Sequence, residues 1–473
     1  VSSVGNHEFD HGQAELLRMQ NGGCYPGGMI GRDTCLQGGS FPGAKFQYLA
    51  ANVVDTATGK TVLPATWTRR FGAVSIGFVG VTLKGTPEVV TASGVAGLSF
   101  TDEAAAINAA AAQLKAQGAS AVVALIHQGG YVATAPLEAP NCGSLAGAIL
   151  PIVDALGRDV DVVVSGHTHQ AYVCTRNGKL LTQAGLYGSA VTDIDLTIQP
   201  GAGVTAKAAR NRPVINDLNT TGQLPPGYAI LAKDPDVDAA VRRYVGASQA
   251  VRNQVVGTIS ADIQRALLPG FSGTVRDETA EGAMGDLMAD VYLAGGPRAD
   301  IAFITPGGVR ADLLHGKDGT VSVNDLLTVA PFGNTLVTVD LTGAQLLRLL
   351  EQQWEAPNCS AKTGANGCGR LLHPSAGFSY AWDARTPQGA PSGQGHRVVD
   401  GSMRLNGQPI APQASYRVTV NSFMAPGAGD NFSVLTQGAH ITDSGVKDID
   451  AFVAYMQRHP RLAPPAARVQ RLH

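Results

Sequence analysis

Residues 5–10 read Gly-Asn-His-Glu-Phe-Asp, and residues 166–169 read Gly-His-Thr-His. Between these two motifs, His127 ends the apolar run at 121–126. Each of the three segments lies where a buried strand is expected to give way to a loop, and such strand ends often line ligand sites in α/β proteins. Imidazole nitrogens and amide oxygens are common ligands of divalent metals. Three strand ends that each carry histidine therefore predict a metal site.

The bulk composition narrows the class of protein. A chain of 473 residues is long enough for two or three domains, each with its own core. Lys and Arg number 35 against 37 for Asp and Glu, so no basic excess indicates a nucleic-acid partner. No apolar run in the sequence approaches the length that spans a bilayer, so we predict no transmembrane segment.

The six cysteines fall into three local pairs, and none of them has the Cys-x-x-Cys spacing of zinc ribbons or thioredoxin-like sites. Local pairs of this kind can close loops that contain Gly or Pro, and disulfides persist in oxidising compartments. We therefore predict a periplasmic or secreted protein. The predicted bridges are Cys24–Cys35, Cys142–Cys174 and Cys359–Cys368.

The apolar periodicity of the first half predicts alternating strands and helices, which is typical of a layered α/β domain. Short apolar runs predict buried strands at 71–81, 121–126 and 160–164, and a half-exposed strand at 192–198. Helices are predicted at 104–117 and 145–156. A further helix at 236–251 has Asp residues in its first turn and is predicted to connect to a second domain.

The second half has its own motifs, each weak when taken alone. A helix is predicted from Glu281, and a strand at 299–304 runs into Thr-Pro-Gly-Gly-Val-Arg at 305–310. A Gly-Gly turn before Arg310 allows the backbone to approach a ligand and presents a guanidinium group. Two loop phenylalanines, Phe332 and Phe423, can hold a flat ring between them.

In this order, the motifs of both halves resemble those of the secreted 5′-nucleotidase family, which includes the periplasmic UDP-sugar hydrolases. The resemblance rests on residues 5–10 and 166–169, on His127-Gln128-Gly129, and on the motifs of the second half. It implies a four-layer, calcineurin-like metallophosphoesterase β-sandwich domain of α/β class and a C-terminal α+β substrate-binding domain, joined by a helix. The implied limits are 1–207 for the catalytic domain, 208–254 for the linker with the connecting helix, and 255–473 for the nucleoside-binding domain.

The resemblance also implies roles for single residues. Two divalent ions (Mn, Zn, Co or Mg) are expected, with Asn6, His127 and His167 as ligands of one ion and His169 as a ligand of the other. His7, oriented by Asp10, would stabilise the transition state. The residues expected to bind the nucleotide are Gly308, Arg310, Phe332, Asn334, Phe423 and Asp430.

The implied function is hydrolysis of phosphate esters of extracytoplasmic nucleotides by a metal-bound hydroxide, with or without UDP-sugar hydrolase activity. Three neighbouring enzyme activities stay open. They are a 2′,3′-cyclic phosphodiesterase with 3′-nucleotidase activity, a nucleotide pyrophosphatase and a thiosulfohydrolase, the last disfavoured because its substrate has no base for two phenylalanines to hold. A non-catalytic nucleotide-binding protein is the alternative from another class.

The family's Asp-x-His motif of the opening strand and its bridging-Asp motif have no counterpart from Val1 onward, so we expect them upstream of this residue. The expected partner is a nucleotide or nucleotide-sugar substrate. We expect no nucleic-acid partner, and we expect a monomer or a weak dimer.

Overall fold

The computed structural model describes residues 1–30, 34–35, 39–132, 142–199, 201–215, 224, 228–270, 273–359, 369–427 and 429–473, with the backbone alone described at 142, 269–270 and 273–275. The chain divides into two compact units, Val1–Arg243 and Tyr244–His473. The domain limits at residues 207 and 254 remain predictions.

The first unit contains both strands and helices. Its described strands are β1 (Ser2–Ser3), β2 (Tyr48–Leu49), β3 (Val53–Asp55), β4 (Thr66–Phe71), β5 (Val74–Thr82), β6 (Leu98–Phe100), β7 (Ala121–His127), β8 (Val162–Ser165), β9 (Ala171–Arg176), β10 (Lys179–Ala184), β11 (Ala190–Gln199) and β12 (Gly203–Pro213). Its described helices are α1 (Gly12–Asn21), α2 (Glu103–Ala116) and α3 (Ile149–Ala155).

A six-stranded sheet in the order β4-β5-β7-β8-β10-β9 forms the centre of this unit. Strands β5, β7, β8 and β10 are parallel, so their carboxyl ends meet at one edge of the sheet. The register pairs Thr82 with His127 and Ile126 with Ser165. The end of β7, which carries His127, and the end of β8, which leads into residues 166–169, are therefore neighbours, as the sequence predicted.

Alternate residues of the central strands face two different layers, because successive side chains of a strand point to opposite faces. Val122 packs with α2 and α3, whereas Val123 packs with Ile194 and Leu196 of the β11–β12 hairpin. Helix α2 begins where Asp102 accepts a hydrogen bond from the Ala105 N–H at 2.9 Å. It buries Ile107 and Leu114 and ends just before Gly118 (φ 90°).

The expected single strand at 71–81 is wrong. The chain turns at Gly72 (φ 60°), and strands β4 and β5 form an antiparallel hairpin on either side of this turn. Phe71 ends the outer strand with 58% of its surface exposed, so it is not part of the buried run. The apolar character of residue 71 concealed a turn that the glycine at 72 allows.

Helix α4 (Pro235–Arg252) corresponds to the predicted connecting helix and crosses the boundary between the units, with half of its residues in the second unit. The other described helices of the second unit are α5 (Ala283–Gly295), α6 (Val323–Val329), α7 (Gly343–Glu351) and α8 (Asp448–Arg458). Its described strands are β13 (Val255–Ile259), β14 (Leu267–Gly270), β15 (Gly273–Arg276), β16 (Ile301–Ile304), β17 (Thr320–Ser322), β18 (Thr335–Thr342), β19 (His373–Pro374), β20 (Phe378–Asp383), β21 (Arg404–Leu405), β22 (Gln408–Pro409), β23 (Ser415–Asn421), β24 (Ala439–Lys447), β25 (Arg461–Leu462) and β26 (Val469–Leu472).

A five-stranded sheet in the order β19-β16-β23-β18-β24 separates two cores of the second unit. Ala302 and Ile304 of β16 pack with α5, α6 and α8, whereas Ile301 and Phe303 pack with α7 and the loop that carries Phe432. All four residues of β16 are buried. The strand therefore has both faces covered, which explains why the sequence shows a continuous apolar run there.

One of the three predicted disulfides, Cys24–Cys35, is confirmed, with Cα atoms 5.5 Å apart. The predicted pairs Cys142–Cys174 and Cys359–Cys368 each include a side chain outside the described residues, and they stay predictions. Among the helices that the structure describes, none combines the length and the apolar character that a membrane span requires.

Replacement of Phe452 by Ala is expected to destabilise the second unit by about 3–5 kcal/mol, because it leaves a cavity in a fully buried position. Trp354 and Trp382 belong to this unit, so urea unfolding followed by tryptophan fluorescence in a Trp67→Phe background measures the loss. Leu314→Ala is the control, because Leu314 is 61% exposed and should change stability by less than about 0.5 kcal/mol. Equal effects of the two substitutions would contradict the burial of Phe452.

Candidate functional site

Two of the three histidine motifs meet through the Asn6 and His127 side chains. Asn6 lies in a short 3₁₀ turn, Asn6–Phe9, and only 3% of its surface is exposed. Its Oδ1 atom is 2.9 Å from Nε2 of His127, the last residue of β7. The ring of His167 packs edge-on against that of His127, with centroids 5.2 Å apart. The structure thus brings together the three residues predicted to bind one metal ion.

Glycine at position 5 allows this approach. A Cβ atom on Gly5 would lie 2.9 Å from His127 Cε1 and 2.8 Å from Glu8 Oε2, which is closer than side-chain atoms pack. The Gly5 N–H donates to the Glu8 carboxylate at 2.5 Å, which fixes the start of the 3₁₀ turn. The first glycine of the motif therefore serves the geometry of the site.

The loop at 166–169 holds an uncommon backbone conformation. His167 (φ 69°) and His169 (φ 58°) both adopt the left-handed region, which is costly for residues other than glycine. The Thr168 hydroxyl between them donates to the Gly130 carbonyl at 2.8 Å. A Cβ atom on Gly129 would lie 2.3 Å from the Gly166 carbonyl oxygen. Close packing of the loop at 166–169 against Gly129 and Gly130 thus maintains the left-handed backbone at both histidines.

His7 and Asp10 form a second, more exposed pair. Nδ1 of His7 is 2.9 Å from Oδ2 of Asp10, and the two side chains are 45% and 30% exposed. A carboxylate at Nδ1 fixes the orientation of the ring. The predicted pairing of these two residues is present, although their roles in a reaction remain proposals.

His127 is held in its neutral form. Burial first, and then the charges of His7 and His169, lower the pKa of His127 to about 4. A neutral imidazole is the form that binds a metal ion. The ring of His169 lies against that of Tyr187, with centroids 5.9 Å apart. His169 therefore contributes to the electrostatic field at His127 from a position beside Tyr187.

The donors that meet here fit one divalent ion more readily than two. No group of three or more His, Cys, Asp or Glu side chains able to hold a metal is present in the part of the chain that the structure describes. The three predicted ligands are the amide oxygen of Asn6 and the imidazoles of His127 and His167. One oxygen with two imidazole nitrogens suits Zn²⁺ or Mn²⁺. His169 alone, among the predicted ligands, is left for a second ion.

In the second unit, Arg310 and Phe332 form the predicted turn and ring. The Arg310 guanidinium lies over the Phe332 ring, 4.9 Å from its centroid, and the Arg310 backbone N–H donates to the Val329 carbonyl at 2.9 Å. Gly308 lies in the turn Pro306–Gly308, where a Cβ atom would be 3.0 Å from Ile304 Cδ1. The Gly-Gly turn and the aromatic loop are thus neighbours, as the ligand-binding interpretation requires.

Asn334 is buried just before β18, and its carbonyl accepts a hydrogen bond from the Asp448 N–H at 2.7 Å. Burial raises the pKa of Asp448 to about 6, against hydrogen bonds from Ile449 and Asn334 that lower it. The next residue along the chain, Thr335, exchanges two hydrogen bonds with Ser422, at 2.8 and 3.1 Å. The loops that carry Phe332 and Phe423 are therefore tied to one another.

Phe423 begins a tight loop that ends at Asp430. A Cβ atom on Gly429 would lie 2.0 Å from the Phe423 carbonyl oxygen, so the closure of this loop requires glycine. Asp430 follows in the left-handed conformation (φ 53°) and is 4% exposed. Its carboxylate forms an ion pair with Arg370. The loop therefore buries Asp430 and leaves its carboxylate paired with a cation.

Arg370 and Glu278, which no sequence motif predicted, accompany the predicted residues in the second unit. Glu278 pairs with Arg276, and its pKa also responds to Arg310 and Arg370. Arg370 is 60 residues from each of Arg310 and Asp430 along the chain, and it belongs to no recognisable motif. The one sequence signal that could have pointed to Arg370 is a positive charge just before the apolar pair Leu371-Leu372.

Comparisons with known proteins agree with these features. Residues 255–437 match the family model described as the 5′-nucleotidase C-terminal domain. The chain is 28% identical over 459 residues to Endonuclease YhcR of Bacillus subtilis, a match that covers 97% of this chain and 32% of that protein. It is 24% identical over 499 residues to a 5′-nucleotidase of Vibrio cholerae, a match that covers 99% of this chain and 79% of that protein.

The chain spans 19–56% of the length of three of its curated relatives. Among solved structures, the 5′-nucleotidase precursor from Thermus thermophilus superimposes with a TM-score of 0.71 at 24% identity, over 100% of this chain and 83% of that one. This similarity confirms the fold class that the sequence predicted, an α/β first unit followed by the C-terminal domain. Residues 255–437 are thus identified with the 5′-nucleotidase C-terminal domain, and the chain as a whole is similar to proteins named 5′-nucleotidase.

Proposed function

We propose that this protein is a metal-dependent 5′-nucleotidase, which hydrolyses phosphate esters of nucleotides outside the cytoplasm. The proposal rests mainly on one observation: Asn6, His127 and His167 come from three distant segments and lie together. The segment that carries Asn6 also carries the His7–Asp10 pair. Phosphoester hydrolysis by a metal ion needs metal ligands, which a neutral imidazole and an amide oxygen can supply. It also needs a positioned hydrogen-bond donor, which a histidine paired with a carboxylate can supply.

Asn6, His127 and His167 would hold one divalent ion, and His169 would be one ligand of a second. A bound ion of this kind activates water and neutralises negative charge on a phosphate group. The chain itself prepares the ligands. Burial keeps His127 neutral, and the packing of the loop at 166–169 against Gly129 and Gly130 holds the backbone that carries His167 and His169.

His7 would stabilise the charge that develops on phosphate oxygens in the transition state. Asp10 lies at Nδ1 of His7 and fixes the orientation of the ring, so Nε2 is the ring nitrogen on the side away from Asp10. A hydrogen-bond donor held in place contributes most where the negative charge is greatest, so the pair would favour the transition state over the bound substrate.

The second unit would recognise the nucleoside. Phe332 and Phe423 offer aromatic surface for the base, while Asn334 and the backbone at Gly308 offer polar groups. Arg310, held over the Phe332 ring, presents a cation to an anionic group of the ligand. Asp430 presents a carboxylate oxygen for a sugar hydroxyl. The Thr335–Ser422 bonds link the two loops that carry the phenylalanines.

The proposed extracytoplasmic location is supported by the Cys24–Cys35 disulfide, because disulfides form and persist in oxidising compartments. The proposed activity is tested by comparing the rates at which the purified protein releases product from AMP, a UDP-sugar, 2′,3′-cyclic AMP and thiosulfate. We expect the highest kcat/KM for AMP. Turnover of thiosulfate alone, or binding of AMP without hydrolysis, would contradict the proposal.

Removal of divalent ions is expected to abolish hydrolysis of AMP, because the histidine and amide donors alone cannot activate water. The measurement is the AMP hydrolysis rate after treatment with a chelator, with metal content determined in the same samples. Activity should return on addition of Mn²⁺, Co²⁺ or Zn²⁺. An unchanged rate in a sample shown to be free of metal would refute metal dependence.

His7→Ala is expected to lower kcat for AMP by about 10²–10³-fold, with KM changed much less, because the ring acts mainly in the transition state. Steady-state kinetics measure both constants. The matched control is His11→Ala, which removes an exposed histidine four residues away and should leave kcat unchanged. A similar loss in both variants would indicate damage to the loop and not a role for His7.

Phe332→Ala is expected to raise KM for AMP by about tenfold and to spare para-nitrophenyl phosphate, because only the nucleotide has a base to stack. Phe332→Tyr retains the ring and serves as the control, with near-normal KM. Initial-rate measurements on both substrates test the prediction. An equal loss on the two substrates would mean that Phe332 supports the fold of the loop and does not contact a base.

A further inference from the structure

Five charged side chains gather beside the Phe332 loop in the second unit. We call them the arginine cluster, which consists of Arg276, Glu278, Arg310, Arg370 and Asp430. Two ion pairs lie within it, Arg276–Glu278 and Arg370–Asp430. Three guanidinium groups accompany two carboxylates among these residues, which leaves an excess of one positive charge. Such an excess attracts an anion.

Arg370 and Asp430 form the part of the cluster next to the proposed sugar site. Oδ1 of Asp430 pairs with Arg370, while Oδ2 lies 3.7 Å from the point that a Cβ atom on Gly307 would occupy. The Asp430 side chain is 5% exposed, but that of Arg370 is 31% exposed. The buried carboxylate thus anchors a guanidinium group that a ligand can reach.

The Glu278 carboxylate interacts electrostatically with Arg370 and with the other two arginines of the cluster. Burial raises its pKa, but the charges of Arg276, Arg370 and Arg310 and a hydrogen bond from Arg276 bring the pKa of Glu278 down to about 2. Its side chain is 35% exposed in spite of these three neighbours. The three cations thus hold the partly buried Glu278 carboxylate in its ionised form, and part of its side chain still reaches solvent.

Arg310 places one part of the cluster beside the proposed base site, because its guanidinium stacks on Phe332. Arg370 places another part beside the proposed sugar site, because it pairs with Asp430. In dinucleotide-binding proteins a carboxylate recognises a free ribose hydroxyl, whereas an arginine near that position accommodates a ribose phosphate. Here both residue types are present at one position, and the ion pair already orients the guanidinium fork that binds phosphate well.

We propose that Arg370 is a specificity-determining residue for a second phosphate group, carried on the ribose 2′ or 3′ hydroxyl of the nucleotide. The inference rests on the proposed function, since it takes Asp430 to lie beside the ribose. The substrate class it names is the nucleoside bisphosphates. The ribose phosphate would take the exposed edge of the Arg370 guanidinium, while Asp430 keeps its contact on the other edge.

The test compares AMP with adenosine 3′,5′-bisphosphate and adenosine 2′,5′-bisphosphate, as substrates and in direct binding measurements by calorimetry. The wild-type protein should bind one of the bisphosphates about tenfold more tightly than AMP, the ratio that one charge-assisted hydrogen bond supplies. Arg370→Gln should remove this preference, and Arg370→Lys should retain part of it. Affinity for AMP is measured in the same variants, and the ratio of the bisphosphate affinity to the AMP affinity gives the preference.

Arg370→Gln leaves Asp430 buried without its partner, so a matched pair of variants separates recognition from folding. Asp430→Asn and the double variant Arg370→Gln/Asp430→Asn both lack the unpaired carboxylate. The ratio of bisphosphate to AMP affinity should be higher in Asp430→Asn, which retains Arg370, than in the double variant. Arg385→Gln, which removes an exposed arginine paired with Asp383, is expected to leave the ratio unchanged.

The outcomes distinguish this inference from the proposed function. A protein that hydrolyses AMP but binds neither bisphosphate better, or whose preference survives Arg370→Gln, overturns the role of Arg370 alone. A protein that does not hydrolyse AMP overturns the proposed function. In that case the calorimetric ratio still decides whether Arg370 recognises a ribose phosphate.

Discussion

The contact between Asn6 and His127 is the constraint on which the first unit's site depends. It joins two residues 121 positions apart in the sequence, and both side chains must give up water to form it. The parallel alignment of β5, β7 and β8 also places the loop at 166–169, with His167, beside the end of β7. Gly5 leaves room for the His127 ring, and Gly129 leaves room for the Gly166 carbonyl, at distances that a Cβ atom would prevent.

The sheet edge gives the histidines their different properties. His127 ends a buried strand and is neutral, whereas the exposed side chain of His7 is paired with a carboxylate. The same residue type thus has different properties at two positions of the site because the surroundings differ. The left-handed backbone at His167 and His169 has a cost of about 1–3 kcal/mol per residue, and the close packing of two loops maintains it.

The local pattern of the sequence predicted much of the fold, whereas the arginine cluster depends on tertiary contacts. Strand β7, helix α2 and helix α4 end within two residues of the predicted limits, because apolar periodicity and capping residues such as Asp102 are local signals. The error at Phe71 arose because an apolar residue at the end of an exposed strand looks the same as one in a core. Arg370 meets Asp430 through the fold of the second unit, and no spacing in the sequence records that contact. Charged residues are usually on solvated surfaces, so a lone arginine carries little information without its partners.

Anomalous scattering from crystals grown with Mn²⁺ tests whether the three strand-end motifs form a metal site for phosphoester hydrolysis. We expect an anomalous peak within coordination distance, about 2.0–2.3 Å, of Asn6 Oδ1 and of ring nitrogens of His127 and His167. A crystal with these side chains ordered, with Mn²⁺ bound elsewhere and with no peak between them would contradict this expectation.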